Sequence, residues 1–442
     1  MPKSGLVAIV VSTELSHWGS CRIITPNLQK AYAQLHGANV QFFNWTARQT
    51  PSETFLIAKQ ILNAKPTRLI FLDHMPHPQK LLEALWTMQK PEQLPPVDFH
   101  IYGDFTLYIN QWWTIEKMLK RMRVHFYCAS HRQEALVASF LNQATTLTTR
   151  CPFPVDSQQY FFSAELRKKI RKELGISADE KIVLYTGRLS LQKNILRLTR
   201  EMAKYIETAE APTRFLLCGH FDQLGAPFFG VNLNQAQYYD QWQALLATFP
   251  ETIRNRITYL GNKNASELHA LYNAADLYVS LSTHHDEDFG MSPLEALCSG
   301  APCVLSGWGG YASFAIDTNS CQLASVQITD KGLQLSSTDF QKNVHQFLSK
   351  NETDLSKEQR SQLYIKQFSI SSIQKIIELQ QKKPSLKFKG FKKNFELFGK
   401  RLLKHFAGAA LFEKGPTKNS FYFQVYKNYV TPSLREKQEM EL

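Results

Sequence analysis

Glu287 and Glu295 stand eight positions apart in a 442-residue chain, one on each side of Gly290. Ser292 and Pro293 follow that glycine in the order expected of a helix N-cap and a first helical residue. Glu295 falls three residues after Ser292, the spacing of a capping box. The first amides of a helix have no partner within it, so a helix start aimed at the end of a strand is an anion-binding arrangement. Two other chemistries use the same residues. In one, the glutamates merely cap an ordinary strand–loop–helix crossover. In the other, Asp286-Glu287-Asp288 is an acidic triplet that holds Mg²⁺ or Mn²⁺ against a nucleotide diphosphate. The helix start already supplies positive partial charge and no further acidic cluster lies nearby, so the expected metal complement is none.

These side chains need a frame to hold them. Residues 276–282 form a short β-rich apolar run, with a polar loop over 280–288. Ser299-Gly300 ends the following helix after barely two turns, and Pro302 forbids its continuation. A short strand and a second glycine turn, Gly309-Gly310, close the stretch. Upstream, residues 181–186 are an apolar strand that runs into Gly187-Arg188-Leu189-Ser190-Leu191-Gln192-Lys193-Asn194. Strand signals at 6–11, 39–44, 68–72, 97–102, 215–219 and 257–260 alternate with helical ones at 24–35, 53–64, 116–123, 164–175 and 265–274. Such alternation implies parallel sheets, which gather ligands at the carboxyl ends of their strands.

With its glycines and proline in place, the stretch resembles the donor-site signature of the retaining glycosyltransferases of the GT-B fold, glycosyltransferase family four (glycosyl transferases group one). That signature is a Glu pair with seven residues between, then Ala-Leu/Met-x-x-Gly-x-Pro-Val; this chain has Glu287, Glu295 and ALCSGAPCV. A second family signature, Gly-Arg-Leu and then Lys, is matched by Gly187, Arg188, Leu189 and Lys193. The resemblance implies an α/β protein of two Rossmann-like domains facing each other across a cleft, with a C-terminal helical tail. It implies that Arg188 and Lys193 hold the diphosphate of a nucleotide-diphosphate sugar, Glu287 the hydroxyls of its sugar and Glu295 the ribose. Amides around Gly290, Met291, Ser292 and Leu294 would face sugar and phosphates, and Gly261-Asn262-Lys263 would form the turn beneath the base. The sugar nucleotide is then a co-substrate and no cofactor is required.

The same resemblance implies transfer to a glycan, lipid or protein acceptor, in surface polysaccharide, lipopolysaccharide or other glycoconjugate synthesis. On the acceptor side the match is looser. The first loop keeps only Gly19 of the family's paired glycines, and Tyr102 falls where the family places a histidine. His100 shares a strand face with Tyr102, and Asp104 follows at the strand end; both are acceptor-side candidates, although His100 is equally a histidine bonded within the sheet. Asp73, His74 and His77 after another strand read as a polar loop edge or as a metal or acceptor site. Two rival functions share these features: a non-catalytic nucleotide-sugar-binding or scaffold protein of the same fold, and a nucleotide-sugar epimerase.

Composition bounds the rest. The length suits two domains, and 43% hydrophobic with 20% charged residues is the make-up of a globular protein. The expected division is 1–160, 161–380 and a tail over 381–442. Seven cysteines without a C-x-x-C pair point to reduced thiols, with Cys298 and Cys303 as small buried residues, and hence to a cytoplasmic location. The N-terminus reads as a first strand rather than a signal peptide, and no apolar run reaches membrane-spanning length. Of the net charge of +13, +8 lies between Gln381 and Phe406, so one local basic element is expected rather than a nucleic-acid-binding surface. There Phe388, Phe391, Phe395, Phe398 and Leu402 recur at helical spacing. That stripe either packs back on the first domain or lies on an anionic membrane over 386–406. The aromatic loop 225–239 has no regular period and carries no assignment.

Overall fold

In the computed structural model, residues 5–12, 20–46, 48–72, 77–103, 105–106, 108–221, 235–284, 287–330, 332–406 and 425–431 are described. Gly19, Asp73, His74, Asp104 and Asp286, and most of the 225–239 loop, lie outside them. The chain divides into two units. One comprises Met1–Val155 with Phe368–Leu403, the other Asp156–Gln367 with Lys404–Leu442.

The first unit is a six-stranded parallel sheet of β1 (Val7–Val11), β2 (Val40–Asn44), β3 (Arg68–Phe71), β4 (Val97–Ile101), β5 (Val124–Cys128) and β6 (Thr148–Arg150), in the order β2-β1-β3-β4-β5-β6. β1, β4 and β5 are buried at every position, as strands covered by helices on both faces must be. The basic helix expected over 116–123 is Ile109–Leu119, because the Trp112 and Ile115 face that packs into the core starts earlier than the run of charge.

The second unit holds β7 (Lys181–Thr186), β8 (Thr213–Cys218), β9 (Ile257–Tyr259), β10 (Leu277–Ser280), β11 (Cys303–Ser306) and β12 (Cys321–Ala324), all parallel, in the order β12-β11-β10-β7-β8-β9. A small antiparallel hairpin, β13 (Val326–Thr329) and β14 (Gly332–Leu335), follows. Counting from β7, this is the doubly wound order 3-2-1-4-5-6. The direction of winding reverses between β7 and β10, and such a switch point opens a crevice at the carboxyl ends of the two strands.

The return to the first unit corrects the expected boundaries of 161–380 and 381–442. The helix Ile370–Gln381, expected to close the second domain, packs on the helix Cys21–His36 of the first unit through Ile370, Ile373 and Ile377. The aromatic stripe is not one helix. Phe388 and Phe391 sit on extended chain, which bridges Arg123 and Leu141 through Lys387 and Phe391, while Phe395 and Phe398 belong to the helix Lys393–Phe406. Between them Gly390 takes φ +93°, and a Cβ there would lie 2.1 Å from the Lys120 side chain. All four rings are buried, in a cluster with Phe105, Trp113, Phe126 and Phe140. These four rings therefore serve the first unit's core and are not available to a lipid surface. Among the described residues no helix is long and apolar enough to cross a membrane, and all seven cysteines are free, six of them buried.

Candidate active site

The residues singled out in the second half of the sequence converge at the switch point of the second unit. β7 is followed directly by Gly187 at φ +137°, and β8 by Gly219 at φ +138°. A Cβ on Gly219 would stand 1.9 Å from the Gly187 carbonyl oxygen, so the two loops approach as closely as backbone permits. Gly219 in turn donates its N–H to the Gly261 carbonyl at 2.9 Å, just before the exposed Asn262. Three adjacent strands thus lead, at one level, into glycines.

Beyond Gly187 the chain makes one 3-10 turn, Leu191–Lys193, and enters the helix Ile195–Thr208 through Asn194 at φ +58°. That turn aims two cations. Arg188 Nη2 donates to Gln192 Oε1 at 2.9 Å, and Tyr185 fixes the Arg188 carbonyl at 2.9 Å. Lys193 Nζ reaches across the switch point to Glu287 Oε2 at 2.5 Å. The lysine side chain is 22% exposed and the glutamate 6%, so the pair is largely out of water. Asn194 Nδ2 to the Leu281 carbonyl (3.2 Å) and Ser282 Oγ to the Gln192 carbonyl (3.3 Å) tie the same two loops together.

The Glu287 loop is gripped from its other side by residues after β11. Gly310 donates its N–H to the Glu287 carbonyl at 2.6 Å, and Trp308 Nε1 donates to the His284 carbonyl at 2.6 Å. A Cβ on Gly309 would meet Glu287 O at 2.3 Å and one on Gly310 would meet Asp288 O at 2.1 Å, so the glycine turn is a requirement of packing. Asp288 accepts a hydrogen bond from the Tyr429 hydroxyl, and Trp308 bridges Val430. The two described carboxylates of the acidic triplet therefore have separate partners. Among the described residues no three His, Cys, Asp or Glu side chains gather as a metal site would require.

The helix Met291–Cys298 starts two residues before the expected position. Gly290, at φ +110°, occupies the N-cap because the Tyr311 ring would lie 2.6 Å from any Cβ there. Ser292 and Pro293 sit inside the first turn, where a missing N–H costs no helical bond, so the Ser292–Glu295 capping box does not form. Leu294 is fully buried and donates its N–H to the Gly290 carbonyl at 3.4 Å, which withdraws its amide from the expected donor-facing set. Met291 and Ser292 carry the first-turn N–H groups outside the helix's own ladder.

Glu295 turns into the unit instead of capping. It is 2% exposed, and Tyr272 donates to its Oε2 at 3.0 Å. Burial pushes its carboxyl up to about 7, against the opposing pull of the hydrogen bond from Tyr272 and of the nearby Tyr160 hydroxyl. Tyr272 also shares a hydrogen bond of 2.6 Å with Thr186, the last residue of β7. Sequence reading missed Tyr160, Thr186 and Tyr272, which no motif spacing marks. It also missed Gln192, for which the i+4 offset from Arg188 was the available signal.

Of the acceptor-side candidates Gly19, His100 and Asp104 in the first unit, His100 is the one among the described residues. His100 is 2% exposed, bonded to the Tyr32 hydroxyl at 2.7 Å and stacked on Tyr127. Burial, with the neighbouring His125, pushes its imidazole down to about 3. It is a neutral core histidine, which corrects its reading as an acceptor-side group. Tyr102 shares a buried hydrogen bond of 3.0 Å with Thr25. His77 packs edge-on against Trp112 at 4.3 Å.

Two parallel α/β units in one chain, the second carrying its charged loops at a switch point, are the architecture of the GT-B fold. Sucrose-phosphate synthase from Thermosynechococcus elongatus superposes with a TM-score of 0.59 at 16% identity, over 85% of this chain and 98% of that one. The Anabaena protein HepE in complex with UDP and glucose superposes with a TM-score of 0.60 at 15% identity, over 85% and 99%. Residues 167–361 match the model of the family described as Glycosyl transferases group 1. An uncharacterised glycosyltransferase of Methanocaldococcus jannaschii is 32% identical over 34% of this chain and 33% of its own. A D-inositol 3-phosphate glycosyltransferase of Corynebacterium aurimucosum is 30% identical over 33% of this chain and 31% of its own. The chain spans about a third of the length of these curated relatives.

Proposed function

We propose that this protein is a retaining glycosyltransferase. It moves a sugar from a nucleotide-diphosphate sugar to a glycan, lipid or protein acceptor in glycoconjugate synthesis, in the cytoplasm and without a metal or other cofactor. The observation that carries the reading is the Lys193–Glu287 pair, which joins two loops at the switch point of a sheet with three strands leading into glycines. Cleaving the sugar–phosphate bond leaves about two negative charges on the departing diphosphate, and cations already held in position lower that barrier. Arg188 and Lys193 take this role, with Gly187 letting the backbone approach and the Met291 and Ser292 amides adding donors. Glu287 accepts hydrogen bonds from the donor sugar, Glu295 from the ribose, and Asn262 lines the base. A leaving diphosphate oxygen takes the acceptor hydroxyl's proton as that hydroxyl attacks from the same face, so the mechanism needs no protein nucleophile.

The test is a panel of nucleotide sugars screened by melting temperature, followed by NMR of the product formed with the stabilising donor. The expected product keeps the donor's anomeric configuration, and EDTA leaves turnover unchanged. An inverted product overturns the retaining mechanism, and loss in EDTA with recovery in Mn²⁺ restores the acidic-triplet reading. Tight donor binding with no transfer across a broad acceptor panel establishes a binding protein, whereas conversion of donor alone establishes an epimerase.

A further inference from the structure

The amino ends of β7 and β10 border a separate cavity of about 250 Å³. It lies at the far ends of these strands from the candidate active site, about 20 Å along the six residues of β7. Five cations line it: Arg167, Arg171, Lys181, Lys350 and Lys357. Its three carboxylates are already committed. Asp276 bonds both arginines, at 2.9 Å to Arg171. Glu180 is held by Arg214 at 3.1 Å and Arg256 at 3.0 Å, and Glu352 is divided between Lys357 at 3.0 Å and Arg360.

Positive charge is therefore in excess around the cavity. Among the described residues Lys350 has no ion pair, and Lys181 bonds only the neutral Asn351 side chain, at 3.3 Å. The Lys357 side chain is 3% exposed, yet among the described residues Glu352 is the one acceptor for its three donors. Burial, with Arg167 beside it, pushes the ammonium down to about 8. A buried ammonium with unused donors is costly unless an acceptor is supplied.

We propose that this cavity is a binding site for a phosphate dianion, free or carried on a small metabolite, held by Lys357 from within and by Lys181 and Lys350 from the exposed side. Three separate ammonium groups suit an anion that offers several charged oxygens. The volume falls below the roughly 300–1,000 Å³ of sites that take drug-sized ligands, so a nucleotide sugar does not fit.

The experiment is thermal melting and calorimetric titration of the full chain with inorganic phosphate, ribose 5-phosphate and sodium chloride at matched ionic strength. Phosphate compounds are expected to raise Tm with concentration while chloride does not, and the tighter of the two identifies the source. The K181A/K350A variant, altered only at the open side, is expected to weaken phosphate binding about tenfold or more, with its Tm unchanged without phosphate. Lys357→Met is expected to abolish binding; should it not fold, the double variant decides alone. The Lys193→Met variant, altered at the other end of the sheet, is expected to retain the effect. Equal stabilisation by chloride, indifference to K181A/K350A, or loss in Lys193→Met overturns the proposal.

Discussion

Lys193→Met separates the chemical from the structural role of the lysine. The substitution keeps the apolar stem and removes the charge. Its partner Glu287 is 6% exposed and bonded at 2.5 Å, so the carboxylate loses its ion pair in a largely dry setting. Breaking a fully buried pair costs about 3–5 kcal/mol and an exposed one about 0–1. With Lys193 itself 22% exposed, a loss of about 2 kcal/mol is expected. For a domain of 150–250 residues that lowers Tm by roughly 4–8 °C. Loss of a preorganised charge on the leaving diphosphate costs about 3 kcal/mol of barrier, about a hundredfold in kcat. The two effects part company in K193M/E287Q, where no charge is stranded. Tm is expected to recover at least half its loss, while kcat stays down. The assay pairs differential scanning fluorimetry with release of nucleoside diphosphate at saturating donor. A Lys193→Met enzyme that melts early but keeps kcat within threefold of the parent makes the lysine purely structural and refutes the reasoning.

Gly310→Ala would place a Cβ 2.1 Å from the Asp288 carbonyl oxygen; the displaced Glu287 loop is expected to cost about 1–3 kcal/mol and raise the donor KM, read by melting and initial rates. Tyr429→Phe removes the hydroxyl that donates to buried Asp288, and a loss of about 1–2 kcal/mol is expected in urea unfolding; an unchanged midpoint rejects a bracing role for the C-terminal segment. Glu295 has a folded pKa near 7, above its ordinary value of 4.5, so the native state binds the extra proton between these values. Stability should therefore fall as pH rises from 4.5 to 7. Glu295→Gln should flatten that slope and gain roughly 3 kcal/mol relative to the parent at pH 8, measured by unfolding across pH.

The frame of the second unit was legible because strands buried on both faces must be continuous apolar runs. The bounds 181–186 therefore fall where the apolar run places them, while those of the helix 265–274 follow the helical period after the Asn264 cap. Local rules failed where a distant group occupied the decisive space. Ser292 has the better N-cap chemistry, yet Gly290 takes the cap because the Tyr311 ring leaves no room for a Cβ. The 388–398 stripe reads as one helix until the close approach of Lys120 puts Gly390 at positive φ and divides it. Tyr429 and Asp288 are 141 positions apart, and nothing in either neighbourhood marks the pair.

The same reasoning explains why two motifs become one site. Lys193 and Glu287 are 94 positions apart, and β8 and β9 intervene in sequence. They meet because β10 passes over both strands to pair with β7, through Leu277 with Val183 and Tyr278 with Leu184. If β10 paired instead with β9, every local motif would survive unchanged. The lysine and glutamate would then stand three strands apart, about 14 Å at the usual spacing, and neither could reach the other. The chemistry therefore rests on the order of the strands as much as on the identity of the side chains.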